Sequence, residues 1–232
     1  MAIKAVLFDA YGTLLDISSA TAQLVAKQHY PALADKAEAL TSLWRTRQVE
    51  YSWLRTAMAD YTSFWEVTQD ALDYALDATG LAGDAALRAD LLALYADILP
   101  YEDALGCLRY LADQNTPCAI LSNGNQAMLD RAVSHAGLTP YLTDVLSVEA
   151  HQTFKPSAVI YQMGASRFDA AADEILFFSS NGWDIAGASH FGFQTIWVNR
   201  QSLPVERLPG KPHHIVSSLT EARPLLQGHY QL

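Results

Sequence analysis

Three apolar runs end in side chains able to do chemistry. Residues 3–8 stop at Asp9, with Tyr11-Gly12-Thr13 behind it; Cys118-Ala119-Ile120-Leu121 stops at Ser122-Asn123-Gly124; Ile175-Leu176-Phe177-Phe178 stops at Ser179-Ser180-Asn181-Gly182, with Asp184 two residues on. A carboxylate held rigidly at a strand end, with a glycine turn behind it, suits a nucleophile that splits one displacement into two easier steps through an ester. Hydroxyl and amide groups at neighbouring strand ends suit the gripping of a polar substrate. Any one such residue also serves as a turn former or helix cap. Three strand ends of the same character favour one shared crevice.

The elements that must position these groups are strands alternating with helices. A further apolar run, Thr195-Ile196-Trp197-Val198, ends at Asn199-Arg200, and helical patterns lie between the runs, as in Gln126–Ala136 and Ser157–Arg167. Apolar runs without inside–outside alternation, separated by helices, predict a parallel sheet covered on both faces. In such α/β sheets ligands bind beyond the carboxyl ends of the strands. Residues 16–98 break the alternation: helix formers are interleaved with Trp44, Tyr51, Trp53, Tyr61, Phe64, Trp65 and Tyr74, which reads as an all-helical insertion closing near Pro100. The expected organisation is a core of residues 1–15 and 99–232 and a cap of residues 16–98.

The 232 residues are half hydrophobic and 17% charged, a globular composition that needs neither disulfides nor a structural metal. A formal charge of −10 repels phosphate backbones and anionic lipid, so nucleic acid and membrane surfaces are poor partners. Cys107 and Cys118 sit singly in apolar segments and read as buried thiols of a reducing compartment. The first residues meet a charge too early for a secretory signal, and no run approaches a membrane span. A soluble, cytoplasmic protein is expected. None of the seven histidines has partners at metal-ligand spacing, and Gly182 and Gly187 belong to no nucleotide-binding pattern.

The segment Phe8-Asp9-Ala10-Tyr11-Gly12-Thr13-Leu14-Leu15-Asp16 resembles the first motif of the haloacid dehalogenase superfamily. Leu121-Ser122-Asn123-Gly124, Lys155-Pro156 and Phe178-Ser179-Ser180-Asn181-Gly182-Trp183-Asp184 resemble its second, third and fourth motifs, in order, from Ile3 to about Arg200. The resemblance implies a Rossmann-like core with a helical cap. Phosphatases of the superfamily place an Asp at the position of Tyr11 and a Gly-Asp pair where Ser180 stands, so a magnesium-dependent phosphatase is disfavoured. Halide needs no proton on leaving, and an aromatic wall at position 11 suits it better than an acid.

Leu43-Trp44-Arg45-Thr46-Arg47-Gln48-Val49-Glu50-Tyr51-Ser52-Trp53-Leu54-Arg55 resembles the segment of L-2-haloacid dehalogenases whose Arg approaches the departing halide. The matching residue is Arg45, whereas Arg47 and Arg55 read as solvated helix charges. The resemblance implies that Asp9 attacks the halogen-bearing carbon with inversion, giving an ester that water cleaves to a D-2-hydroxy acid. It makes Thr13 a partner of the Asp9 carboxylate, Ser122 the donor to the substrate carboxylate, and Asn123 a lining of the halide side with Arg45. Lys155 neutralises and orients Asp9, and Tyr161 matches a tyrosine of the active enzymes. Ser179, Asn181 and Asp184 position Lys155 and the water, with Asp184 as candidate base. Tyr11, Trp183 and Phe64 form an apolar wall. The resemblance further implies no metal or cofactor and a homodimer. Besides the phosphatase, the rival is a non-catalytic binding protein on the same fold, which a missing nucleophile, lysine or strand-end donor would have favoured.

Overall fold

The computed structural model describes residues 2–231. β1 (Ala5–Phe8) leads into five helices, α1 (Ser19–Lys27), α2 (Pro31–Ala34), α3 (Ala37–Met58), α4 (Phe64–Ala78) and α5 (Ala85–Ala96), before α6 (Ala104–Asp113) returns the chain to β2 (Cys118–Ser122). There follow α7 (Gln126–His135), β3 (Asp144–Ser147), α8 (Ala158–Arg167), β4 (Ile175–Ser179), α9 (Gly182–Phe191), β5 (Gln194–Val198), β6 (His214–Val216) and α10 (Arg223–Gly228). The strands form one parallel sheet in the order β3-β2-β1-β4-β5-β6. This is the expected α/β core.

β1, β2, β4 and β5 are buried at every residue, which is why their sequences are unbroken apolar runs. Phe8 and Phe178 stack across the β1–β4 pair with centroids 4.9 Å apart. The chain leaves β1 toward β2 on one side and later adds β4 on the other, so the switch point of the sheet lies between the ends of β1 and β4. Asp9 follows the first of these strands, and Ser180 and Asn181 follow the second.

The turn after β1 is tight. Gly12 adopts φ 90°, a left-handed conformation that a side chain would strain, and its N–H bonds the Leu15 carbonyl at 2.7 Å. Leu15 and Pro100 then form an antiparallel bridge, flanked by Asp16 N–H to Leu99 O at 2.8 Å and Tyr101 N–H to Leu14 O at 2.9 Å. The segments entering and leaving the inserted helices therefore run side by side. Within the insertion α4 starts with a capping box between Ser63 and Glu66, and Asp84 caps α5 through Leu87 N–H. Both starts are locally encoded. Helix α3 buries Leu40, Trp44, Gln48 and Ser52, spaced four apart on one face.

Two strands were not expected: β3 and β6. Each lies at an edge of the sheet, and each is short and incompletely buried, so neither presents an apolar run. Cys107 and Cys118 are buried free thiols, both pushed up to about 12 by burial. Among the described residues no helix is long and apolar enough to cross a membrane.

Candidate active site

Asp9, at the end of β1, is 5% exposed and meets three donors. Its Oδ2 accepts from Thr13 Oγ1 at 3.0 Å and from Asn181 Nδ2 at 2.8 Å; its Oδ1 accepts from Lys155 Nζ at 2.9 Å. Thr13 belongs to the turn after β1, Asn181 to the turn after β4, and Lys155 to the loop before α8. Three segments far apart in sequence thus converge on one carboxylate. With both sites on Oδ2 taken and one on Oδ1, the second lone pair of Oδ1 is the one left to react.

Lys155 is fully buried, and its ammonium uses all three protons: on Asp9, on Asp184 Oδ2 at 2.6 Å and on the Leu121 carbonyl at 3.0 Å. Its own backbone N–H is held by Asn123 Oδ1 at 2.8 Å. Burial pulls the Lys155 ammonium down, but the charges of Asp184 and Asp9, with their hydrogen bonds, outweigh this and leave it above the usual lysine value. Lys155 is accordingly no free cation. Two carboxylates neutralise it.

Asp184 lies in the first turn of α9, where the helix N-terminus favours negative charge. Its Oδ2 also accepts from Ser179 Oγ at 3.2 Å, and its Oδ1 from the Tyr161 hydroxyl at 2.8 Å. Burial pushes the Asp184 carboxyl above its ordinary 3.8, against the pull of Lys155 and with the help of Asp9. Tyr161 is raised by burial and by Asp184, so it remains a neutral donor. Gly187 is what lets α9 approach this tyrosine: a Cβ there would lie 2.6 Å from the Tyr161 hydroxyl and 2.6 Å from Pro156 Cβ.

On the insertion side, Arg45 donates from Nη2 to Asn181 Oδ1 at 3.1 Å and from Nη1 to Gln48 Oε1 at 2.7 Å. Both acceptors are neutral. Among the described residues Arg45 has no carboxylate partner, whereas Arg47 pairs with Glu50 and Arg55 with Asp60 and Asp70 on the surface. Asn181 therefore stands between an anchored carboxylate and an uncompensated cation.

Tyr11 stacks on Tyr95 at 5.4 Å and lies 6.4 Å from Phe64, forming an apolar wall fed by three segments. Its buried hydroxyl has no partner among the described residues, and burial raises it well above the usual phenol range. Trp183 is half-buried and meets Trp53 edge-on at 5.3 Å, so it packs against the insertion's α3. Ser122 Oγ accepts from Gly124 N–H at 3.1 Å, which leaves its hydroxyl proton for another acceptor. Ser180 N–H donates to Thr13 Oγ1 at 2.8 Å and the two hydroxyl oxygens lie 3.3 Å apart, so this residue braces the turn.

Sequence reasoning passed over Gln48 and Tyr95, which sit behind Arg45, and the Leu121 carbonyl, the third acceptor of Lys155. The signal for Gln48 was its place on the Leu40–Trp44–Gln48–Ser52 stripe. A cavity of about 10 Å³ lined by Ile17, Thr41, Trp44, Arg45, Gln48 and Tyr95 leaves room for roughly one water beside the guanidinium. A larger one, about 440 Å³, is lined by Arg55, Thr56, Ala59, Asp60, Tyr61, Gln152 and Thr153, none of them a member of the Asp9 cluster.

A metal does not fit this donor set. Asn181 Nδ2 bridges Asp9 Oδ2 and, at 3.4 Å, the Tyr11 carbonyl, while Lys155 Nζ fills the space between Asp9 and Asp184. Donor groups occupy the positions from which a cation would need acceptors.

The family model for haloacid dehalogenase-like hydrolases matches residues 3–192. The chain is 43% identical over 224 residues to (S)-2-haloacid dehalogenase 1 of Pseudomonas sp. (strain CBS-3), covering 97% of this chain and 96% of that protein. It is 41% identical over 224 residues to (S)-2-haloacid dehalogenase 4A of Burkholderia cepacia, covering 97% and 95%. Among solved structures, the L-2-haloacid dehalogenase of Xanthobacter autotrophicus with chloropropionic acid covalently bound superposes with a TM-score of 0.86 at 37% identity, covering 97% of this chain and 99% of that one. On the buried carboxylate–lysine–carboxylate cluster, the motif order and these likenesses together, the chain belongs to the haloacid dehalogenase-like hydrolase family.

Proposed function

We propose that the protein hydrolyses the carbon–halogen bond of short L-2-haloacids, giving D-2-hydroxy acids through an ester on Asp9. The observation that carries this reading is the pairing, across Asn181, of a triply anchored carboxylate with an arginine that faces no carboxylate among the described residues. Asp9 Oδ1 attacks the carbon from behind, and the electron pair of the breaking bond leaves on the halide, which Arg45, Asn123 and the Phe64 side of the wall receive. The Ser122 hydroxyl grips the substrate carboxylate. Inversion follows from attack opposite the leaving group.

In the ester, the former Oδ2 is the carbonyl oxygen and keeps the Thr13 and Asn181 donors, which stabilise the oxyanion when water adds. Asp184 takes the water proton. Lys155 gives a proton to the departing alkoxide at Oδ1 and is recharged from Asp184 through their 2.6 Å contact. The sum is haloacid plus water to hydroxy acid, halide and one proton. Ser179 and Tyr161 hold Asp184 in place, and the Leu121 carbonyl holds Lys155.

Residues 16–98 act as a cap on a core of residues 1–15 and 99–232, hinged at the Leu15–Pro100 crossing; the depth of Asp9 requires the cap to open for substrate entry. A cytoplasmic homodimer is part of the same reading, as the family resemblance implies.

Halide release from L-2-chloropropionate tests the function, run with EDTA, beside the D enantiomer and a phosphate ester. Release confined to the L form and indifferent to EDTA is expected; phosphate release abolished by EDTA, without halide, would overturn the reading.

The pH profile of ester cleavage has a defined sign. The step needs Asp184 ionised, and its carboxyl lies above 3.8, so the rate falls on acidification through a limb above that value. It also needs Lys155 charged, and that group lies above 10.5, so no alkaline limb is expected below it. Single-turnover cleavage rates between pH 3 and 10 check both; an acid limb at or below 3.8 would remove Asp184 as base.

A further inference from the structure

We infer that Gln48 is a positioning residue that aims Arg45 at the departing halide and keeps its charge uncompensated. This rests on the dehalogenase reading above. Gln48 is 1% exposed, on the same helix as Arg45 and three residues later. Its amide orientation is fixed by its neighbours. The Thr68 hydroxyl is committed as donor to the Phe64 carbonyl at 2.6 Å, so it faces Gln48 as an acceptor and takes Nε2–H at 2.7 Å. Arg45 can only donate, so the carbonyl end must face it. Nε2 also donates to the Tyr95 hydroxyl at 3.0 Å, and Tyr95 stacks on Tyr11. One buried amide thus ties α3, α4 and α5 to the guanidinium and to the wall above Asp9.

A neutral acceptor at this position matters chemically. A carboxylate would hold Arg45 equally well in geometry but would cancel the charge that must stabilise halide. An apolar side chain would leave Nη1 unpaired and the guanidinium free to rotate away. Both changes act directly on halide departure and reach the later attack of water on the ester only indirectly, through the Arg45–Asn181 bond.

The test compares wild type, Gln48→Glu and Gln48→Met, each checked for a cooperative thermal transition. Single-turnover quench experiments with L-2-chloropropionate and L-2-bromopropionate separate halide release from ester cleavage. Gln48→Met is expected to slow halide release by ~10–100-fold, more for chloride than for bromide, with ester cleavage slowed far less. Bromide binding, read by ⁸¹Br line broadening without substrate, is expected to weaken about tenfold or more in Gln48→Glu. Equal slowing of both steps, insensitivity to the leaving group, or unchanged bromide binding would overturn the proposal. Should wild type bind bromide with an affinity that Gln48→Glu weakens, yet release no halide, the substrate reading fails while the positioning of Arg45 as an anion site stands; absence of bromide binding to wild type overturns that positioning too.

Discussion

Asp9→Asn is expected to lower halide release by at least roughly 10⁴-fold, the loss typical of removing the group that forms the covalent bond. An amide oxygen is a far weaker nucleophile than a carboxylate, and no neighbouring group can replace it: Asp184 has three of its acceptor sites occupied, by Lys155, Ser179 and Tyr161. The fold should survive. The asparagine carbonyl can keep the Thr13 and Asn181 bonds, but its NH₂ then faces the Lys155 ammonium, a donor against a donor, which costs about 1–3 kcal/mol. Lys155 retains Asp184 and the Leu121 carbonyl. A cooperative transition at a somewhat lower midpoint, with activity gone, is the expected pair of observations.

The same carboxylate permits a test that needs no substitution. In a single turnover with enzyme in excess in H₂¹⁸O, water attacks the ester carbonyl, so the first hydroxy acid carries an unlabelled oxygen from Asp9 and the label stays on the enzyme. Mass spectrometry of the Asp9 peptide then shows a gain of one heavy oxygen. Label in the first product and none on the peptide would mean that water attacks the carbon directly, with Asp9 as base, and would sink the ester mechanism.

The legibility of this site in the sequence followed the reach of local signals. Asp9, Ser122, Asn123, Ser179, Asn181 and Asp184 stand where buried runs stop, and a parallel sheet aligns such stops at one edge. Lys155 has no such mark. It lies in a loop, and its significance comes from Asp9, 146 residues away, and Asp184, 29 residues away. Only the resemblance of the third motif singled it out, and even then its full neutralisation was not foreseeable, because counting charges in a sequence does not say which ones meet. Gln48 was hidden differently: a glutamine in a charged helical stretch reads as solvated until the face it shares with Leu40 and Trp44 is known to be covered. The edge strands β3 and β6 escaped because partial exposure removes the pattern that betrays a strand.

Lys155→Met is the substitution for which stability and chemistry should fail together. Methionine matches the lysine stem in size, so the change removes charge and hydrogen bonds with little change in volume. It leaves the carboxylates of Asp9 and Asp184 facing one another without the ammonium between them, at 7% and 0% side-chain exposure. Breaking a buried ion pair in this way costs about 3–5 kcal/mol, equivalent to a fall of roughly 10 °C or more in thermal midpoint for a chain of this size. Activity should fall by ~10³-fold or more, since Asp9 loses its orienting partner and the alkoxide its proton donor.

The pH dependence of that cost identifies its origin. In the native protein Asp184 is already raised by burial, with Lys155 as the opposing influence; without Lys155 it rises further. A carboxyl raised in the folded state contributes its stability below its unfolded value, about 3.9, and loses it as pH climbs through the folded value. The midpoint deficit of Lys155→Met relative to wild type should therefore be small near pH 4 and grow toward pH 8. Adding Asp184→Asn removes the second carboxylate, so the double variant should regain much of the stability at pH 8 while remaining inactive. A deficit independent of pH, or a double variant no more stable than the single one, would show that Lys155 serves the fold through packing rather than through the two charges it joins.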